Sequence, residues 1–164
     1  MAEENTFNEG SGIGEVTGRA YYANVVTPNT TFDDRWEINL VLDDEVLEEF
    51  ENRGHTIKEK DYGRFINFKR NVNRKGGGQN TRPILIDQER KRVDTLPKMG
   101  NGSTVKVQYS EYNWEYSGNS GKGRDLRAIQ LIELVEDNEP DGAGMYDEGD
   151  FEWLKKKPLN LLLL

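Results

Sequence analysis

The 164-residue chain contains no cysteine and only one histidine, His55. The first absence removes disulfides, thiolate metal sites and cysteine nucleophiles together, and it suits a reducing compartment. The second leaves no partner for a two-histidine metal site and makes His55 a poor catalytic candidate. No apolar run approaches the roughly 18 residues of a transmembrane helix. The opening MAEENTFNEGSG has neither the basic region nor the apolar region of a signal peptide. A phosphate-binding loop is also missing. The one glycine run, NRKGGGQNT at residues 73–81, puts Lys75 before its glycines and has no Gly-Lys-Ser/Thr after them. These absences argue against an enzyme and against a membrane protein, and no metal or cofactor is expected.

What is present is polar and unevenly charged. Hydrophobic residues make up 34% and charged residues 32%, so part of the length is expected to be disordered around one domain. The net charge of −8 argues at first against a polyanionic ligand, but the charges are segregated. Residues 1–15 hold four acids and no base. Residues 16–63 hold 5 basic and 11 acidic side chains. Residues 64–127 reverse this, with 14 basic and 6 acidic. Residues 128–153 then carry 9 acids and no base, and the last 11 residues carry only Lys155, Lys156 and Lys157. A basic centre followed by an acidic tail is the pattern of a binding protein rather than of a uniformly solvated surface.

Hydrophobic periodicity places the elements. Residues 1–14 read as a flexible arm. Residues 15–27 (EVTGRAYYANVVT) read as a first strand, ended by Pro28, and residues 35–42 (RWEINLVL) as a second with Trp36 turned inward. Asp43 or Asp44 caps a short helix whose stripe is Val46, Leu47 and Phe50 and which Gly54 stops. Its acids suit the helix dipole and a solvated face. Residues 62–72 (YGRFINFKRNV) predict a third strand with cations on both faces. A basic glycine turn with Arg74 and Lys75 follows, then a short edge strand at residues 82–87 and a loop at residues 93–104.

Residues 103–135 are the most informative. Val105, Val107 and Tyr109 share one strand face, while Lys106, Gln108, Ser110, Tyr112, Trp114 and Tyr116 share the other. The first face suits a core. The second either covers another core or offers an aromatic ladder beside cations, as a single-stranded nucleic acid requires. Residues 117–123 read as a Gly/Ser loop. A final strand follows, apolar on both faces, with Arg124 and Arg127 on opposite sides. After Val135 the period stops. The stretch EDNEPDGAGMYDEGDFEW is acidic with late aromatics, and LKKKPLNLLLL then reverses the character. The whole predicts an all-β fold, an OB-fold-like closed antiparallel barrel over residues 15–136. It has one short helix and a disordered acidic C-terminal tail over residues 137–164.

The residues also resemble a family, the single-stranded DNA-binding proteins of short-tailed, T7-like phages. The likeness runs through GRAYYANVVTP, WEINLVLD, PILIDQERKRVDTLPKMGNGSTVKVQYSEYNWEY, a Gly-rich loop, the strand residues Ala128, Ile129, Gln130 and Leu131, ELVE, and an acidic tail with a late Phe. It spans most of residues 16–152, and VKVQYSEYNW is its strongest piece. The resemblance implies an OB-fold protein that coats single strands in DNA replication, recombination and repair, in the cytoplasm of an infected bacterial host. It implies that the acidic tail contacts the phage DNA polymerase and helicase/primase, competes with DNA for the groove and supports a homodimer. It also implies a DNA contact at Tyr112. The chain departs from the family pattern in three ways. It is shorter. Its acidic aromatic motif, Asp147 to Trp153, does not end the chain. Its helix follows the second strand rather than the third.

Together these readings predict sequence-nonspecific binding of single-stranded DNA. Lys69, Arg70, Arg74, Lys75, Arg82, Lys106, Lys122 and Arg124 are expected to track phosphates. Tyr112 and Trp114, with Phe65 or Tyr116, are expected to stack bases. Asp147, Glu148, Asp150, Phe151 and Trp153 are expected to form a partner-binding tail. Two alternatives stay open. One is a β-domain interaction module that binds no nucleic acid, its aromatics forming core. The other is a single-stranded RNA binder, distinguished by whether the 2′-OH is accommodated.

Overall fold

Alternating burial lays out the strands of the computed structural model, which describes residues 5–31 and 33–136. In chain order they form β1 (Thr6–Asn8), β2 (Ile13–Asn29), β3 (Arg35–Val41), α1 (Asp44–Asn52), β4 (Lys58–Lys60) and β5 (Gly63–Asn71). There follow β6 (Ile84–Ile86), β7 (Arg92–Val93), β8 (Ser103–Tyr116) and β9 (Asn119–Glu133). The expected tail motif, Asp147, Glu148, Asp150, Phe151 and Trp153, lies outside the described residues.

Five of these strands close a barrel. β2 pairs antiparallel with both β3 and β8, β3 pairs with β5, and β8 pairs with β9. A parallel contact between Lys69 of β5 and Asp125 of β9 completes the ring. This is the OB-fold-like architecture that the strand pattern predicts. The inward side chains include Val16, Ala20, Ile38, Leu40, Ile66, Phe68, Val105, Val107, Tyr109, Leu126, Ile129 and Leu131, all buried. One extra residue, Arg127, sits between the pairs Gln108↔Ala128 and Tyr109↔Leu126. Such a bulge resets the alternation, so Leu126 and Ile129 both face the core while Arg127 is exposed.

α1 plugs one end of the barrel. Leu47 and Phe50 are buried, and the Phe50 ring meets those of Phe68 (6.2 Å) and Tyr109 (5.5 Å). Asp43 occupies the N-cap position without a side-chain capping bond; Asp44 and Glu45 in the first turn favour the helix dipole, and Asp44 also accepts from Arg64 Nη1 at 3.2 Å. Gly54, at φ 102, ends the helix as expected, and the helix follows the second barrel strand.

Several stretches differ from the sequence reading. β2 continues through Pro28 to Asn29, past the expected stop, and the short strands β4 and β7 fall where no strand is read. Residues 6–8, within the expected flexible arm, form β1 along β2, and Phe7 stacks on Tyr109 at 6.5 Å. The Gly/Ser stretch at residues 117–123 is mostly strand. Only Ser117 and Gly118 turn, at φ 50 and 81, the double positive φ that a two-residue type I′ hairpin needs.

Candidate nucleic-acid interface

The β8–β9 hairpin runs beyond the barrel, and there its aromatic residues find no core. Tyr112 pairs with Gly123, Trp114 with Gly121 and Tyr116 with Asn119. The two glycines explain how the rings lie. A Cβ at Gly121 would sit 2.7 Å from the Trp114 ring, and one at Gly123 would collide with the Tyr112 ring outright. Each ring therefore covers its glycine flat across β9 and keeps its outer side in solvent. Tyr112, Trp114 and Tyr116 remain 44%, 42% and 75% exposed on one face. The ladder therefore does not line a second core.

Below the ladder lies an open groove of about 360 Å³ between β5, the loop after it and the base of the hairpin. Lys69, Arg70, Arg74 and Lys75 supply its cations, and Tyr112 and Ser110 form the hairpin side. Arg74 and Lys75 are exposed at the tip of a turn held by Arg74 N–H to the Gly78 carbonyl (2.9 Å) and Asn80 N–H to the Val72 carbonyl (2.8 Å). Arg74 also donates to Asn80 Oδ1 at 3.1 Å. Among the described residues Lys69, Arg74 and Lys75 make no ion pair. Burial and the nearby Arg35 guanidinium push the Lys69 ammonium below its usual range. An unpaired, partly desolvated cation gains from an incoming anion. Arg70 is different. It forms a two-pronged pair with Asp125 (3.1 and 2.8 Å) and donates to the Thr81 carbonyl, and the carboxylate bond raises its pKa. Burial raises the Tyr112 phenol, so its ring stays neutral at any physiological pH.

The other expected contacts fall elsewhere. Phe65 is 2% exposed beneath Tyr62, at 5.3 Å between rings, and so presents no face to a base. Arg124 points inward, because the residues paired across the hairpin base, Glu111 and Arg124, face α1 rather than solvent. Its Nε donates to the Asn67 carbonyl at 2.7 Å and its Nη1 contacts His55 Nδ1 at 2.8 Å. Arginine only donates, so Nδ1 accepts and the imidazole proton sits on Nε2, 2.6 Å from Glu111 Oε2. Arg53 closes this buried set on the same carboxylate oxygen at 2.8 Å. Lys122 leaves the hairpin on that same inward side, with its stem beside Gly54. Lys106 shares the Tyr112 face but lies six residues away, about 20 Å, and pairs with Glu15 at 3.3 Å. Arg82 donates to the Asp94 carbonyl at 2.7 Å and is not part of the groove wall.

The groove therefore assembles Lys69, Arg70, Arg74, Lys75 and Tyr112, with Trp114 and Tyr116 above. Sequence reasoning overlooked its neutral floor of Asn71, Asn73 and Asn80, as well as the Asp125 carboxylate. The run of asparagines around the basic glycine turn was the available signal. Cations on one side, amides below and flat rings on the other side suit a ligand that is anionic along its length and carries planar groups.

No family model matches the chain, and no curated protein matches it in sequence. Solved structures do match its fold. The crystal structure of gp2.5, a single-stranded DNA-binding protein encoded by bacteriophage T7, superposes with a TM-score of 0.57 at 18% identity, covering 83% of this chain and 95% of that one. The single-stranded DNA-binding protein from bacteriophage Enc34, truncated at its C-terminus, gives 0.60 at 13% identity, over 83% and 98%. The same Enc34 protein in complex with single-stranded DNA gives 0.57 at 16% identity, over 85% and 96%. The resemblance read from the sequence thus holds at the level of fold.

Proposed function

We propose that the protein binds single-stranded DNA without sequence preference. The observation that carries this reading is the continuity of the basic groove with the glycine-backed ladder. Lys69, Arg74 and Lys75 hold phosphates while Tyr112, Trp114 and Tyr116 stack bases. Every base has a π-face, so stacking tolerates any sequence, and each stacked base contributes about 1–3 kcal/mol. Neutralised phosphates release counterions, which makes binding salt-dependent at about 0.7 log units per contact on single strands. A duplex keeps its bases stacked on one another and leaves the ladder empty. The neighbours in fold, proteins described as binding single-stranded DNA, support the same reading.

In this account the protein coats strands exposed during phage DNA replication and recombination. The motif at Asp147, Glu148, Asp150, Phe151 and Trp153 competes for the groove and contacts replication partners. The test is intrinsic fluorescence titrated with oligo-dT and with duplex. Quenching by oligo-dT alone, weakened in Tyr112→Ala, is the expected result. A signal that neither nucleic acid changes, with a mobility that neither shifts, overturns the proposal and leaves the interaction-module reading.

A further inference from the structure

A second aromatic cluster lies on the outer face of β2, β3 and β5, away from the groove. Tyr21 stacks flat on Tyr62, with centroids 4.2 Å apart and planes at 10°. Tyr22 meets the same ring at 5.8 Å and 61°. Successive residues of a regular strand point to opposite faces. Here the β2–β3 register slips between Tyr21 and Asn24, and both tyrosines reach Tyr62. The slip puts Tyr22 at φ 52, a left-handed conformation that glycine or asparagine takes far more readily. The Tyr22 N–H donates to Asn101 Oδ1 at 2.9 Å, and Asn24 Nδ2 donates to the Tyr22 carbonyl at 3.2 Å, so the geometry is held from both sides. Yet Tyr22 is 60% exposed and contributes nothing to the core. A strained backbone that displays a large ring to solvent calls for a ligand.

Cations and a polar strip connect this cluster to the groove. Lys58 and Lys60, exposed on β4, precede Tyr62 and make no ion pair among the described residues. Lys58 lies within electrostatic reach of Lys69. Asn39 Nδ2 donates to the Tyr62 hydroxyl at 3.0 Å, and Asn67 Nδ2 donates to Asn39 Oδ1 at 2.8 Å and to Glu37 Oε1 at 3.2 Å. Glu37 is the register partner of Lys69 at the groove. Cluster and groove thus share one outer face.

We propose that Tyr22 and the Tyr21–Tyr62 stack, with Lys58 and Lys60, form a second subsite for the same single strand, receiving the nucleotides that leave the Tyr112 groove across β3 and β5. The inference rests on the groove reading, and oligonucleotide length separates the two. Affinity is measured for oligo-dT of about 6 and about 16 nucleotides, within the range of site sizes for one OB fold. Tyr22→Asn is expected to leave the short oligonucleotide unchanged and to weaken the long one at least about fivefold. Its Tm should rise, because asparagine relieves the left-handed strain, and this separates loss of the ring from loss of the fold. Replacing Lys58 and Lys60 by glutamine should lower the log–log salt slope by about 1.4 for the long oligonucleotide only. If both variants bind the long oligonucleotide like the parent while Tyr112→Ala weakens both lengths, the second subsite is refuted and the groove stands. If the parent binds neither length, both readings fall together.

Discussion

Tyr112 and Gly123 act as one unit, and each is legible only through the other. An alanine methyl at Gly123 has no room while the Tyr112 ring lies flat, so Gly123→Ala should displace the ring without removing it. We expect Gly123→Ala to weaken oligo-dT binding by about 1–3 kcal/mol, like Tyr112→Ala, and the double variant to lose no more than either single one. Additive losses would show that the ring does not depend on its glycine. A second residue-scale prediction concerns His55, whose side chain is fully enclosed and whose pKa is lowered from 6.5, by burial first. Below pH 6.5 the unfolded chain takes up a proton that the folded protein refuses. Stability is therefore complete above that value and falls as the pH drops through it toward the lower folded pKa. Urea midpoints should be lower at pH 5.5 than at 7.5, and His55→Gln should shrink the difference. An unchanged pH response in that variant would mean that His55 is not the group responsible. Neither His55 nor Arg124 declared this role in the sequence. Their contact joins residues 69 positions apart and exists only once α1 docks against the hairpin base. Phe65 was misleading for a similar reason, since the strand that helps hide it, β4, reads KEK and has no apolar pattern to announce it.

At the scale of elements, the period-2 pattern of β8 sorted its residues correctly along the whole strand, because one face had to meet a core and the other did not. The same reasoning failed on residues 117–123. Glycine is a weak strand former, and this stretch has the composition of a loop. The missing clue was the spacing itself: Gly121 and Gly123 alternate in step with Trp114 and Tyr112 opposite them. Glycine in a strand marks a close approach, here of two rings. The turn bearing Arg74 and Lys75 was legible in composition, although its position beside Tyr112 depended on barrel closure. Both side chains are exposed at its tip and neither is ion-paired among the described residues. Replacing both with glutamine should therefore leave the Tm nearly unchanged and reduce the log–log salt slope for oligo-dT by about 1.4. An unchanged slope would place the phosphates elsewhere and leave the turn as a structural hairpin tip.

For the whole molecule, the question is how a chain of net charge −8 would hold a polyanion, as the proposed function requires. At 0.1 M salt the screening length is about 10 Å, so a phosphate in the groove feels Lys69, Arg74 and Lys75 far more than distant acids such as those along α1. Residues 137–164 are a different case, because they form one continuous segment with seven acids and three lysines. A segment that competes for the groove releases the same counterions that DNA would, so DNA binding in its presence gains fewer ions net. The informative comparison is the full chain against a chain ending at Glu136. The cut belongs there rather than earlier, because the Val135 carbonyl accepts from the Gly100 N–H at 2.7 Å and Glu136 pairs with Met99. Removing residues 137–164 should tighten oligo-dT binding at low salt and steepen its salt dependence. The two curves should converge near 1 M, where the screening length falls to about 3 Å. Coincident curves at every salt concentration would show that the acidic segment does not visit the groove.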